Sequence, residues 1–188
     1  MKKLINIVLF MSLSLVADNE ISVTQSGNSA AIDLEQLGSS NLIGGTSAET
    51  GSMTALDLDG VSMILDINQI GSSNVFRSDA IDGDNFTGFF EFTGDSNVFD
   101  ILMDSTGLID SDYVNLNINV TGSSNTFDLA IAEDDDASYL DLDWIITGGS
   151  NDFDFDIDYA NAINYVDVNG SSNTLNFSGS GYAGNTSS

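Results

Sequence analysis

Asn117-Ile118-Asn119-Val120-Thr121-Gly122-Ser123-Ser124-Asn125-Thr126-Phe127-Asp128-Leu129 is the stretch that decides the fold. On each side of Gly122-Ser123-Ser124-Asn125 apolar and polar residues alternate: Ile118 and Val120 before it, Phe127 and Leu129 after it. Strand side chains point to opposite faces in turn, so each arm reads as a strand with one buried face. Gly and Asn adopt positive φ at low cost, so Gly-x-Ser-Asn reads as a tight turn between the two strands. A helix does not fit. Aromatic, β-branched, Asp and Asn residues dominate, and no helical period is present.

The same corner recurs along the chain. It stands at Gly38-Ser39-Ser40-Asn41, Gly71-Ser72-Ser73-Asn74, Gly94-Asp95-Ser96-Asn97, Gly148-Gly149-Ser150-Asn151 and Gly170-Ser171-Ser172-Asn173. The glycines from Gly38 to Gly170 are 33, 23, 28, 26 and 22 residues apart. Gly27-Asn28-Ser29 lies 11 residues before Gly38, and Gly60 lies 11 before Gly71. The unit is therefore a strand-turn-strand of two similar arms. Its inward positions hold like residues: Leu34/Gln36, Ile67/Gln69, Phe90/Phe92, Ile118/Val120, Trp144/Ile146 and Val166/Val168 before the corner. Phe99/Ile101, Phe127/Leu129, Phe153/Phe155 and Leu175/Phe177 follow it, and Phe76 holds the first of these positions in its own unit.

Such repeats can close as a meander or barrel, or wind as a solenoid in which each unit adds a rung to two facing parallel sheets. Equivalent positions of a solenoid stack about 4.8 Å apart, so each inward position should keep its character from unit to unit. The columns do so, and a barrel requires no such identity. The expectation is an all-β solenoid of six to eight rungs over 18–178, with a flexible Gly/Ser-rich tail at 179–188. The stretch from Ile43 to Ser52 reads as a loop or a degraded rung. The asparagines Asn41, Asn74, Asn97, Asn125, Asn151 and Asn173 are expected either to form an amide ladder between rungs or to satisfy their own turns.

Composition narrows the chemistry. The chain has no Cys, Pro or His, and 3 basic against 29 acidic residues. Disulfides and thiolate metal sites are excluded, and the commonest general base and transition-metal ligand are missing. A formal charge of -26 repels nucleic acid and anionic lipid. Hydrophobic residues at 41% are enough to fill a core, so the acidity does not imply disorder.

Residues 1–17 read as a secretory signal peptide. Lys2 and Lys3 precede an apolar run from Leu4 to Val16, which ends at Ala17 before the polar Asp18-Asn19-Glu20. The run is short of the roughly 20 residues a membrane span needs. The expected location is extracellular or on the cell surface, with no membrane insertion of the mature chain.

Gln36-Leu37-Gly38-Ser39-Ser40-Asn41 and Gln69-Ile70-Gly71-Ser72-Ser73-Asn74 match Gln-x-Gly-x-x-Asn, the repeat of the curlins. Ile21 to Ala30, with Gln25 before Gly27-Asn28, resembles a curlin repeat core with a shortened turn. The resemblance is close over 21–41 and 65–76, and over 86–178 it is one of turn and periodicity. There Phe92, Val120, Ile146 and Val168 stand where the family has Gln. It implies a secreted β-solenoid whose copies polymerise into amyloid fibres supporting adhesion and biofilm, with a nucleator and an outer-membrane secretion channel as partners. Gln25, Gln36 and Gln69 would be ladder residues.

The outward columns carry the acid. Six places after successive corner glycines stand Arg77, Asp100, Asp128, Asp154 and Asn176. If the rungs stack, Asp100, Asp128 and Asp154 form a carboxylate file. Closely spaced oxygen ligands suit calcium, the one cofactor the sequence suggests. The plainer reading is a solvated acidic face. An enzyme is not expected: paired carboxylates arise by chance among so many, and proton-transfer and substrate-binding groups are scarce. An ice-binding solenoid would need regular outward Thr columns. A monomeric or surface-tethered adhesin shares fold, secretion and acidity with a fibre subunit, and differs only in whether copies stack. The absence of Pro and of a capping helix favours stacking through the open ends.

Overall fold

The computed structural model describes residues 20–21, 23–38, 42–44, 56–103, 112–131, 139–158, 162–180 and 186–187. The expected signal peptide and Asn41 lie outside these residues. The strands are β1 (Glu20–Ile21), β2 (Thr24–Ser26), β3 (Ala31–Leu37), β4 (Leu42–Ile43), β5 (Leu56–Asp59), β6 (Ile64–Ile70), β7 (Val75–Asp82) and β8 (Thr87–Thr93). They continue as β9 (Val98–Met103), β10 (Val114–Thr121), β11 (Thr126–Ile131), β12 (Leu140–Thr147), β13 (Asp152–Asp158), β14 (Ala162–Asn169), β15 (Thr174–Ser180) and β16 (Thr186–Ser187). Among the described residues there is no helix.

One sheet has the order β1-β4-β7-β9-β11-β13-β15, with β2 paired to β5 and β5 to β7. The other runs β3-β6-β8-β10-β12-β14-β16. Each corner carries the chain from one sheet to the other, and the next strand of a sheet lies parallel beside the previous one. The molecule is a β-solenoid. Register is the one the repeat implies: Ile118 pairs with Phe90 and Trp144, Val120 with Phe92 and Ile146, Phe127 with Phe99 and Phe153.

The core lies between the sheets, filled by alternate residues of both. Rings from facing strands touch across it. Phe92 of β8 stacks on Phe99 of β9 at 3.8 Å between centroids, and Trp144 of β12 meets Phe155 of β13 edge-on at 4.4 Å. Each fully buried side chain of this size contributes about 1.5–3 kcal/mol. The rows continue along the axis, with Phe127 4.5 Å from Phe99 and 4.7 Å from Phe153.

The chain builds fewer regular rungs than the six to eight expected. Four regular coils, β7–β8, β9–β10, β11–β12 and β13–β14, have strands of six to eight residues. Before them the first-sheet arm is divided. β4 pairs with the start of β7, at Val75 and Phe76, and β5 with its end, from Ser78 to Asp82. The pairing of the arm ends with β4 and resumes at β5; residues 45–52 of the stretch from Ile43 to Ser52 lie outside the described residues. After the regular coils, β15 continues the first sheet to Ser180, and the two-residue β16 pairs with β14. Strand pairing therefore enters the segment read from sequence as a tail.

Candidate functional site

The corner is built alike at successive levels. Its glycine has φ between 128° and 148° at Gly38, Gly71, Gly94, Gly122 and Gly148. A Cβ on Gly71 or Gly94 would overlap the carbonyl oxygen of the corner glycine one level back. The left-handed residue is the serine: Ser73, Ser96, Ser124, Ser150 and Ser172 have φ of 59–61°. This corrects the assignment of positive φ to asparagine. The asparagine already faces the core, and the serine makes the reversal at a cost of about 1–2 kcal/mol. Its N–H donates to the next level, Ser73 to the Asp95 carbonyl and Ser124 to the Gly149 carbonyl, both at 3.1 Å.

From Asn97 onward each corner asparagine grips the corner before it. Oδ1 of Asn97 accepts from the Asn74 N–H at 2.7 Å, Asn125 from Asn97 at 2.8 Å, Asn151 from Asn125 and Asn173 from Asn151 at 2.9 Å. Nδ2 of Asn125, Asn151 and Asn173 donates to the carbonyls of Gly94, Gly122 and Gly148 at 3.1, 3.2 and 3.0 Å. The ladder joins side chain to backbone across levels. It is neither an amide-to-amide stack nor a set of self-satisfied turns, and every clamp points toward the N-terminus. Asn125, Asn151 and Asn173 each supply two hydrogen bonds to backbone groups of the level before.

The glutamines divide. Gln69 Nε2 donates to Gln36 Oε1 at 2.8 Å inside the core, and the file continues as Phe92, Val120, Ile146 and Val168. Gln25 is not part of it. It lies on β2 opposite Leu58 in the other sheet, and its side chain donates to the Ser26 carbonyl at 3.2 Å.

The carboxylate file forms as the spacing implies. Asp100 pairs with Asp128 and Asp128 with Asp154, between Arg77 at one end and Asn176 at the other. Neighbouring charges at about 4.8 Å repel by about 1 kcal/mol in water. Partial burial pushes the Asp128 carboxyl above its ordinary 3.8, and the charges of Asp100, Asp154 and Asp156 push it the same way. Burial likewise raises Asp66, helped by Asp33 and Glu91. Arg77 Nε lies 3.8 Å from Asp100 Oδ2, a partly exposed pair of little weight. The file is a line along the axis. Among the described residues no group of three His, Cys, Asp or Glu converges to hold a metal ion.

The last level differs from those before it. Leu175 and Phe177 hold inward positions yet are 44% and 52% exposed, whereas their partners Phe153 and Phe155 are at most 1% exposed. A second corner, on the opposite edge, carries Gly27, Gly60 and Gly83, each of the last two stacked on the carbonyl of the glycine before it. There Ser29, Ser62, Asn85, Tyr113 and Tyr139 take positive φ. One outward Thr file also exists, Thr93-Thr121-Thr147, flanked by Glu91, Asn119 and Ile145 rather than by a second Thr column. No family model, curated protein or solved structure matches the chain.

Proposed function

We propose that this chain is a secreted structural subunit that stacks end to end into a curli-like extracellular fibre, supporting adhesion and a biofilm matrix. One observation carries the reading. The contact between levels repeats from corner to corner through the asparagine clamps, and on β15 the inward-file residues Leu175 and Phe177 are exposed. A surface that already accepts one level will accept another of the same kind, and a heterologous contact that does not close gives a filament. The hydrogen bond between Gln69 and Gln36, at the repeat's glutamine positions, supports the resemblance. A nucleator and an outer-membrane secretion channel are the partners this role calls for, with no enzymatic activity.

A monomeric or surface-tethered adhesin is the second reading, and the charge of -26 favours it, because like-charged copies repel. Electron microscopy with thioflavin binding on the full chain, purified after processing by the secreting cell, separates the two. Fibres with a repeat of about 4.8 Å along the axis are expected. A chain that stays monomeric at every concentration and salt level would leave the adhesin.

A further inference from the structure

We propose that Tyr113 and Tyr139, stacked at successive levels on the edge opposite the Gly-x-Ser-Asn corners, are a site of oxidative modification. There a peroxide, acting through a one-electron oxidant such as a haem peroxidase, joins the two phenols into a dityrosine bridge. This goes beyond the fibre reading and holds whether or not copies of the chain stack.

The rings are placed for it. Tyr113 is 58% and Tyr139 42% exposed. The residues that follow them, Val114 and Leu140, are register partners on β10 and β12. The Val114 N–H donates to the Tyr139 carbonyl at 3.1 Å, so the two backbones are held one level apart. The ring centroids lie 5.9 Å apart, with 32° between the planes.

The corner does not itself call for tyrosine. At the same place in earlier levels stand Ser29, Ser62 and Asn85, with φ of 58–60°. Left-handed backbone is uncommon for any residue with a Cβ, and least suited to a bulky one. Tyr113 and Tyr139 nevertheless have φ of 61° and 74°. Neither ring enters the core, and ring-on-ring contact offsets less than the cost of two left-handed tyrosines. Strain kept at a pair of exposed, reactive groups points to a use for them.

In the coupling each phenol loses one electron and its O–H proton, and the two radicals join through ring carbons beside the hydroxyls. The hydrogens on the joined carbons then shift to oxygen and restore both phenols. Two C–H bonds have given way to one C–C bond, and one hydrogen peroxide has taken up two hydrogens to become two waters. In a chain without cysteine, the bridge ties neighbouring levels at the edge away from the asparagine clamps. Tyr165 is the internal control: it is 53% exposed, but its register partner is Asp143.

The test treats the full chain with hydrogen peroxide and a peroxidase, below any concentration at which it assembles, and maps the product by digestion and mass spectrometry. A monomer lighter by two hydrogens is expected, with dityrosine emission and a bridge between Tyr113 and Tyr139. Its fractional rate should not depend on protein concentration, because the rings are already together. The bridge should also raise the thermal midpoint, since it closes a loop in the unfolded chain. Tyr113→Phe and Tyr139→Phe keep the ring and lack one phenol. Each should stay folded, with the emission of the buried Trp144 unchanged, and lose the monomeric bridge. No dityrosine, dityrosine only in dimers, a bridge through Tyr165, or a monomeric bridge that survives both substitutions would overturn the proposal.

Discussion

Between β1 and β6 the first-sheet arm is divided and the core holds an amide pair. From β7 onward the arms are continuous and the core is a row of rings. Register survives this change in the second sheet, while β5 slips by one residue against β7 between Leu56 and Asp57. The file that begins as Gln36 and Gln69 continues without a slip as Phe92 and Val120. What stays constant is the corner, with its positive-φ glycine and serine, and from Asn74 onward the clamp between levels. The corners set the register, and the core residues are interchangeable provided they fill the space.

The largest effect should come from breaking the ring row. Phe127→Ala removes contacts to Phe99, Phe153 and Trp144, and should cost about 3–5 kcal/mol in chemical denaturation. Leu34→Ala, in the level with the amide pair, should cost less, about 2 kcal/mol. Equal losses would mean that the two regions are not packed differently.

Next comes the clamp. Asn125→Ala leaves the Asn97 N–H and the Gly94 carbonyl without their partners and should cost about 2–3 kcal/mol. Replacing both Gln36 and Gln69 by Leu converts the amide file into the oily one that follows it, and should change stability by no more than about 1 kcal/mol. If the glutamine pair proves as costly to remove as the clamp, the core and not the corner holds the first levels in register.

The smallest effect is electrostatic. The Asp128 carboxyl is raised in the folded chain, so the fold binds its proton more tightly than the unfolded chain does. The repulsion is present at neutral pH and is relieved as pH falls through the raised value toward 3.8. The melting temperature should therefore rise on mild acidification at constant ionic strength. Asp128→Asn should raise it by a few degrees at neutral pH, for a gain of about 1 kcal/mol, and flatten the slope. A melting temperature that falls with acid in the wild type would contradict this.

Much of the architecture is legible in the residues. Alternation around Gly122-Ser123-Ser124-Asn125 gives the inward files, and the six-residue offset from the corner glycine finds Asp100, Asp128 and Asp154 in line. Hidden features depend on neighbours that the chain order does not reveal. A turn alone cannot show that the asparagine amide matches a carbonyl and an N–H one level back, nor that this frees the serine to take the left-handed conformation. Gln25 precedes a Gly-Asn corner as Gln36 precedes its own, yet that corner lies on the opposite edge, so the same local pattern falls in the other sheet. The division between β4 and β5 is equally silent, because residues inserted within an arm shift the spacing just as a longer loop between rungs would.

Cross-linking tests the stacked register most directly, in a chain with no native cysteine. Thr121 and Thr147 are exposed partners on β10 and β12, at a spacing of about 4.8 Å, which suits a disulfide. The double variant Thr121→Cys with Thr147→Cys should oxidise fully within the monomer, whereas Thr121→Cys with Ile145→Cys, two residues out of line on the same face, should not. Bridging of the second pair in preference to the first would contradict the register on which the solenoid depends.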